Sequence, residues 1–371
     1  METLEPAQVT TAVEQPVGES VVTPKNQAPK RLWLIIAAAV IVLGVGITAV
    51  AMRSSGDSPQ ATATPTAEAT AQAAKEVTKK SGGSEGDNLM GQDDIIVADM
   101  TKDGPWKQSL QISESKDGKT FGSQKTFQKG GGVVTAVRDQ AGVLYAAFQY
   151  FPENDPQNFD KIAIKKSTDA GVTWSEPIPA VFTNYPKAYS RPFDHTLALT
   201  PEGKIRMYYT ANTSSQSIMT KTSDTVAFYS SISADGVTYE FEEGKRLSVP
   251  GKAIIDSAAS YHDGMWYLIA STPKEFGEDG IYYASTSTDG LNFATPTLIP
   301  DTKGYEWTGN MAKVGSALRF YGSGSKVFYS ELGADGAWGK AVNTNLVGGD
   351  PAIVQASEGK YFAIFSGPGA P

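Results

Sequence analysis

The feature that most constrains this chain is a short phrase repeated five times. Its fullest copy is Ser167-Thr168-Asp169-Ala170-Gly171-Val172-Thr173-Trp174. Shorter copies run Ser115 to Phe121, Ser233 to Tyr239 and Ser287 to Phe293, each with Asp-Gly at its centre, and a degenerate fifth runs Gly333 to Trp338. The central aspartates, Asp117, Asp169, Asp235, Asp289 and Asp335, are 52, 66, 54 and 46 residues apart. Each copy has the makings of a hairpin turn. The aspartate folds its carboxylate onto nearby backbone N–H groups, the glycine accepts positive φ, and the aromatic fills the space beneath. A supersecondary unit recurring at such a period stacks against its neighbours.

A second phrase fills the intervals: an apolar strand, a turn, then an aromatic-rich strand. It appears at 133–150, 195–211, 257–271, 312–323 and 351–367. The alternation of Ile205, Met207 and Tyr209 against Arg206, Tyr208 and Thr210 suits a strand with two different faces. No long amphipathic helix is evident, so the repeat region is all-β. The five phrases resemble the Asp boxes of sialidases and other sugar-active β-propellers, where the box is a peripheral turn away from the active site. That resemblance implies a structural role for the five aspartates. The repeat region opens on outer strands and a box (SLQISESKDGKTF) and closes on an inner pair without one. Joined, these ends make one blade, and with four complete units the expectation is a closed five-bladed propeller that leaves no sheet edge exposed. A sixth blade seeded by DIIVADM (94–100) is the alternative.

Ahead of the repeats, residues 32–52 form a 21-residue run without a charge, LWLIIAAAVIVLGVGITAVAM. At 1.5 Å per residue it matches a ~30 Å hydrocarbon layer. Lys25, Lys30 and Arg31 precede it, so the expectation is one transmembrane signal anchor with 1–31 as a disordered cytoplasmic tail. Cleavage after Ala49-Val50-Ala51 is the competing reading. Residues 53–91, rich in Ala, Thr, Ser and Gly, read as a flexible stalk, leaving 92–371 as the propeller. The expected location is thus the cell membrane, single-pass and bound to lipid through 32–52, with a monomeric extracellular propeller.

Composition narrows the chemistry. The chain has no cysteine and only two histidines, His195 and His262, which excludes a thiol nucleophile, an iron–sulfur cluster and a disulfide framework. A net charge of −8 argues against a nucleic-acid partner. No metal or cofactor is expected, a cation in the channel being left open and not predicted. A Ser-His-Asp hydrolase lacks its Gly-x-Ser-x-Gly elbow.

The residues that open the inner strands face one mouth of a propeller. Taken unit by unit they are Asp350, Gly and Thr around 132–135, Asp194, Asp256 and Glu306. Carboxylate sets suit glycosyl transfer, because one group donates a proton while another activates water, and like charges raise one another's pKa. The segment RPFDHTLALTPEGKIRMYYT with the later SADGVTY resembles repeats of five-bladed propellers related to family 43 glycoside hydrolases. The resemblance implies Asp194 as base, Asp256 as pKa modulator and Glu306 as acid in an inverting carbohydrate-active enzyme. Two departures stand beside it: the set starts one repeat late, and GYEWTGN is not the family's acid motif. Arg191, His195, Tyr189, Trp266 and Trp307 are the candidate carbohydrate-binding side chains, and Asp350, followed by Pro351, reads as a strand cap. The alternatives are a non-catalytic glycan binder, a sialidase-like hydrolase drawing on Arg138, Arg191, Arg206 and Arg319, and a protein-binding scaffold.

Overall fold

The computed structural model describes residues 105–213, 226–272, 281–300, 302 and 305–367. The expected membrane anchor, the stalk and the strand at 94–100 lie outside the described residues. Among the described residues the one helical element is a 3₁₀ turn at Pro105–Lys107, and the remainder is strand and turn.

Five antiparallel sheets form five blades. Blade I comprises Gly131–Arg138, Leu144–Tyr150, Lys161–Ser167 and Ile178–Pro179 from inside to outside. Blade II comprises Phe193–Leu199, Ile205–Asn212, Val226–Ser233 and Thr238–Leu247. Blade III comprises Ile255–His262, Met265–Thr272, Ile281–Ser287 and Thr297–Leu298, and blade IV Trp307–Val314, Ala317–Ser323, Val327–Glu331 and Val342–Asn343. Blade V is made from both ends of the domain. Its inner strands, Gly349–Ser357 and Lys360–Gly367, pair with the outer strands Ser109–Ser115 and Phe121–Lys129, and Ser109 lies opposite Gly367. Each inner strand packs beside those of both neighbouring blades, which closes the ring. The five-bladed expectation therefore holds, including the blade shared between the two ends. Blade II carries an addition, the strand Val181–Thr183, which pairs parallel to Thr238–Leu247.

The core is divided among the blade interfaces. Leu110, Phe148 and Ile364 fill the space between V and I, while Tyr209, Tyr229 and Tyr239 with Ile164 fill that between I and II. Tyr208 and Leu268 occupy II–III, Ile269 and Phe320 III–IV, and Tyr321 and Phe365 IV–V. Each fully buried side chain of this size contributes ~1.5–3 kcal/mol.

The repeated turns hold one blade to the previous one. Within each turn the carboxylate accepts backbone N–H groups. Asp117 takes Lys119 and Thr120 (2.8 and 2.7 Å), Asp235 takes Val237 and Thr238 (2.8 and 2.7 Å), and Asp289 takes Leu291 and Asn292 (2.8 Å each). Asp169 is held by the Thr173 hydroxyl and amide at 2.6 and 2.9 Å, and Asp335 accepts Ala337 N at 3.0 Å. Partial burial opposes ionisation at Asp117 and Asp235, but these donors prevail and hold both carboxyls at about 2. Outside each turn, the preceding blade supplies a seat. Tyr321 of blade IV donates to Gly118 O at 2.9 Å, and Tyr208 of blade II donates to Gly290 O at 2.8 Å. The ring of Tyr145 in blade I lies directly under Gly236, and Phe362 of blade V under Gly171. In the degenerate turn Trp338 makes the equivalent approach to Tyr267 of blade III, with ring centroids 6.2 Å apart.

Candidate functional site: the aspartate mouth

All five inner strands break register where they begin. The slips fall at Gly132/Thr135, Phe193/Thr196, Ile255/Ser257, Thr308/Met311 and Gly349/Ala352. A bulge at the rim of a closed sheet re-aims the side chain it carries. In four blades the bulge also puts a non-glycine residue on left-handed backbone: Val133 (φ 43°), Asp194 (47°), Asp256 (62°) and Asp350 (46°). Aspartate tolerates that region and a β-branched valine does so poorly, at ~1–3 kcal/mol each. Strain repeated at one mouth of one ring marks a place whose geometry is held by its surroundings.

Three of the four are aspartates, and they act on one another. Burial, with the Asp350 and Asp160 charges beside it, pushes Asp194 up to about 7. Asp256 is buried and is raised well above the usual carboxylate range by that burial and by Asp350 and Asp194. Burial raises Asp350 to about 6 against two hydrogen bonds, one from the Ser366 hydroxyl at 3.3 Å and one from the Val133 backbone. The carboxyls therefore lie within electrostatic reach across three blades and titrate as a set.

Neighbouring blades hold these groups in place. Asp256 Oδ2 accepts Thr308 N at 2.8 Å, and the Thr308 hydroxyl donates to the Asp256 carbonyl. Asp350 grips the Val133 bulge in the same way, so it is the strand cap expected of it and a member of the acidic set as well. Asp160, to which no sequence motif pointed, enters from the turn before Lys161–Ser167, itself at φ 59°. Gln149 Nε2 donates to it at 2.6 Å and Arg191 pairs with it at 3.6 Å, while burial raises it.

Apolar and aromatic groups lie beside the acids. Phe193, Ile255 and Trp307, the residues just before Asp194, Asp256 and Thr308, pack in one cluster with Val226 and Ala253. Trp307 is half-buried, and its indole N–H is unpaired among the described residues. Glu306 is exposed next to it, its amide donating to Ser323 O at 2.9 Å. Glu306 and Asp256 both act on the buried Tyr282, whose hydroxyl donates to Trp307 O at 3.2 Å.

Other candidates are placed elsewhere. Although His195 follows Asp194, alternation along the strand turns it away into the I–II interface by Ala147, and burial lowers its pKa to about 4. Trp266 is buried at the far tip of its hairpin, opposite Tyr261, with Arg206 over its ring at 4.9 Å. Tyr189 packs in an aromatic group with Tyr185, Tyr229 and Phe241. The four arginines do not converge. Arg191 serves Asp160 and the Phe159 carbonyl, Arg206 pairs with Glu242 and Arg319 with Glu331 beneath the Asp289 and Asp117 turns, and Arg138 lines the opposite mouth. Among the described residues no group of three or more acidic or histidine side chains has the arrangement of a metal site.

Between the mouths a buried side chain links three blades. Asn310 of blade IV donates to Ile353 O at 2.9 Å and to Ala136 O at 3.3 Å, and accepts Ile353 N at 2.8 Å. One buried amide thus ties blades IV, V and I across the axis.

No family model matches the chain, and no curated protein matches it. Among solved structures it is similar to a protein of unknown function from Dyadobacter fermentans, at 16% identity and TM-score 0.46 over 70% of this chain and 84% of that one. It is also similar to an α-L-arabinofuranosidase from Clostridium thermocellum, at 13% identity and TM-score 0.46 over 62% and 81%. A Trypanosoma rangeli sialidase matches at 16% identity and TM-score 0.39 over 60% and 41%. These are likenesses of fold.

Proposed function

We propose that the aspartate mouth is a carbohydrate site and that the chain is a glycoside-hydrolase-like propeller working through three carboxyl groups. The observation that carries this reading is the convergence of Asp194, Asp256 and Asp350 from three blades, on left-handed backbone, beside Phe193 and Trp307. Sugar rings offer C–H faces to aromatic surface and hydroxyls to carboxylates, so the combination of groups is suited to them.

Glycosyl transfer needs a proton donor and an ionised carboxylate in one site. A coupled set with Asp194 near 7 and Asp350 near 6 passes through mixed protonation states in the neutral range, in which both coexist. Burial and mutual repulsion raise all three carboxyls, so the set retains a proton to donate, while the family 43 resemblance implies Asp194 as the base. Glu306 stays in the reading as the rim acid of that resemblance. A propeller tethered outside the cell by residues 32–52 and the 53–91 stalk belongs to the same proposal.

The test is hydrolysis of a panel of neutral aryl glycosides and oligosaccharides by the wild type and by Asp256→Asn, Asp350→Asn and Glu306→Gln. Loss of roughly a hundredfold or more in Asp256→Asn is expected. Loss in Glu306→Gln with an unchanged melting temperature makes Glu306 the acid, whereas an active Glu306→Gln beside an inactive Asp350→Asn makes Asp350 the third carboxyl. Binding without turnover would leave a glycan binder. If no sugar is bound or cleaved, the reading fails.

A further inference from the structure

We propose that the opposite mouth of the ring is a second binding site, one that takes a small organic anion whose acid group lies between Arg138 and Lys313. At that end the inner strands finish around a depression of about 240 Å³, lined by residues from all five blades. Small and apolar side chains, Ala136, Ala198, Ala259, Ala312 and Val354, line it from five inner strands.

The wall carries the charge. Arg138 and Lys313 line the depression from blades I and IV, with Ser260, Tyr261 and Gln355 between them. Both cations are exposed, and neither forms an ion pair among the described residues. The lining holds one acid, Asp139, which is already engaged: it accepts Val143 N at 2.8 Å and the Tyr145 hydroxyl at 3.2 Å. Of the acids on the neighbouring hairpin tips, Asp263 pairs with His262 at 3.3 Å, and neither it nor Glu202 or Glu358 lines the depression. The lining thus carries two cations against the one carboxylate of Asp139, with neutral hydrogen-bonding groups beside them. A guanidinium and an ammonium that line one depression suit a carboxylate or a phosphate monoester.

The two mouths are independent. None of Asp194, Asp256 and Asp350 lines this depression, and Asn310 bridges blades IV, V and I, so the proposal stands apart from the carbohydrate reading.

Calorimetric titration of the full chain with butyrate and with inorganic phosphate tests the site, with 1-butanol as the uncharged counterpart of butyrate. Binding of at least one anion is expected, weakening as salt is added. Arg138→Gln and Lys313→Gln should each weaken it by roughly tenfold or more, since each removes a charge-assisted hydrogen bond. Asp256→Asn should leave it unchanged. Butyrate without phosphate identifies a carboxylate site, and phosphate without butyrate a phosphoryl site. Absence of binding by both anions overturns the proposal. So does binding unaffected by the Arg138 and Lys313 substitutions, or lost in Asp256→Asn.

Discussion

Two glycines in corresponding turns separate backbone strain from blade docking. Gly236 and Gly336 have nearly the same left-handed conformation, at φ +71° and +78°. An alanine at either position must adopt a backbone that costs ~1–2 kcal/mol for an L-residue. Part of that is offset by the smaller freedom of the unfolded alanine chain, ~0.4–1 kcal/mol. Beyond this the two positions differ. A Cβ on Gly336 meets nothing within 4 Å, whereas on Gly236 it would fall 2.3 Å from Cε1 of Tyr145 and 3.2 Å from Cδ1 of Ile205. To restore an ordinary contact of ~3.5–4 Å the tyrosine must retreat by more than ~1 Å. It is held by its own hydrogen bond to Asp139 at 3.2 Å and by the packed I–II interface. Overpacking of that kind costs ~1–3 kcal/mol. Gly336→Ala should therefore lose about 1 kcal/mol or less, and Gly236→Ala ~2–4 kcal/mol. Urea unfolding followed by tryptophan fluorescence reads the difference as a shift in midpoint at constant slope. Equal losses at the two positions would refute the argument that the turns dock on the preceding blade.

The acidic mouth makes stability depend on pH in a defined direction. Asp194 and Asp350 rise from 3.8 to about 7 and about 6 on folding, so the native state binds more protons than the unfolded chain between those limits. Stability should then fall by about 2 kcal/mol or more as pH rises from about 4 through about 7, with Asp256, raised by burial as well, adding in the same direction, and Asp350→Asn should flatten the slope. Stability that rises over this interval in the wild type would contradict the site's electrostatics. Asn310→Ala removes three hydrogen bonds and leaves the buried Ile353 N–H without its acceptor, for a loss of ~1–3 kcal/mol. Amide exchange at Ile353 should accelerate with it, and an unchanged rate would mean that the bridge does not hold the channel.

Much of the architecture was legible because its cause is local. The Asp-Gly pairs carry their turn chemistry with them, and the strand alternation repeats at the same period, so the split blade could be read from the two ends of the domain. The aspartates at the mouth were found by position along the repeat, Asp350 among them. What joins them could not be read in the same way. Whether Asp350 is only a cap or also a partner of Asp194 depends on the distance between strands far apart in sequence. Asp160 and Arg191 meet across 31 residues through a turn without a motif. His195 shows the opposite failure, since adjacency to Asp194 suggests a shared site, yet successive strand residues face different blades. Trp266 is a candidate by residue type, yet the count of residues from Asp256 places it at the hairpin tip. The parallel strand Val181–Thr183 left no signal, being three residues long and paired to a strand that follows it by more than fifty positions.

Blade V also bears on how the domain is made. Its first strand, Ser109–Ser115, finds its inner neighbour only when Lys360–Gly367 exists, so during synthesis that strand waits for almost the last residues of the ring. Until then the growing chain has one unpaired edge at each end, and contacts between such distant positions form slowly. The nascent ring is an incomplete arc with sticky ends, open to pairing with another such arc. A truncation that removes Lys360–Gly367 would leave every other blade intact in sequence while exposing both edges permanently, turning a ring that completes itself into a chain poised to associate.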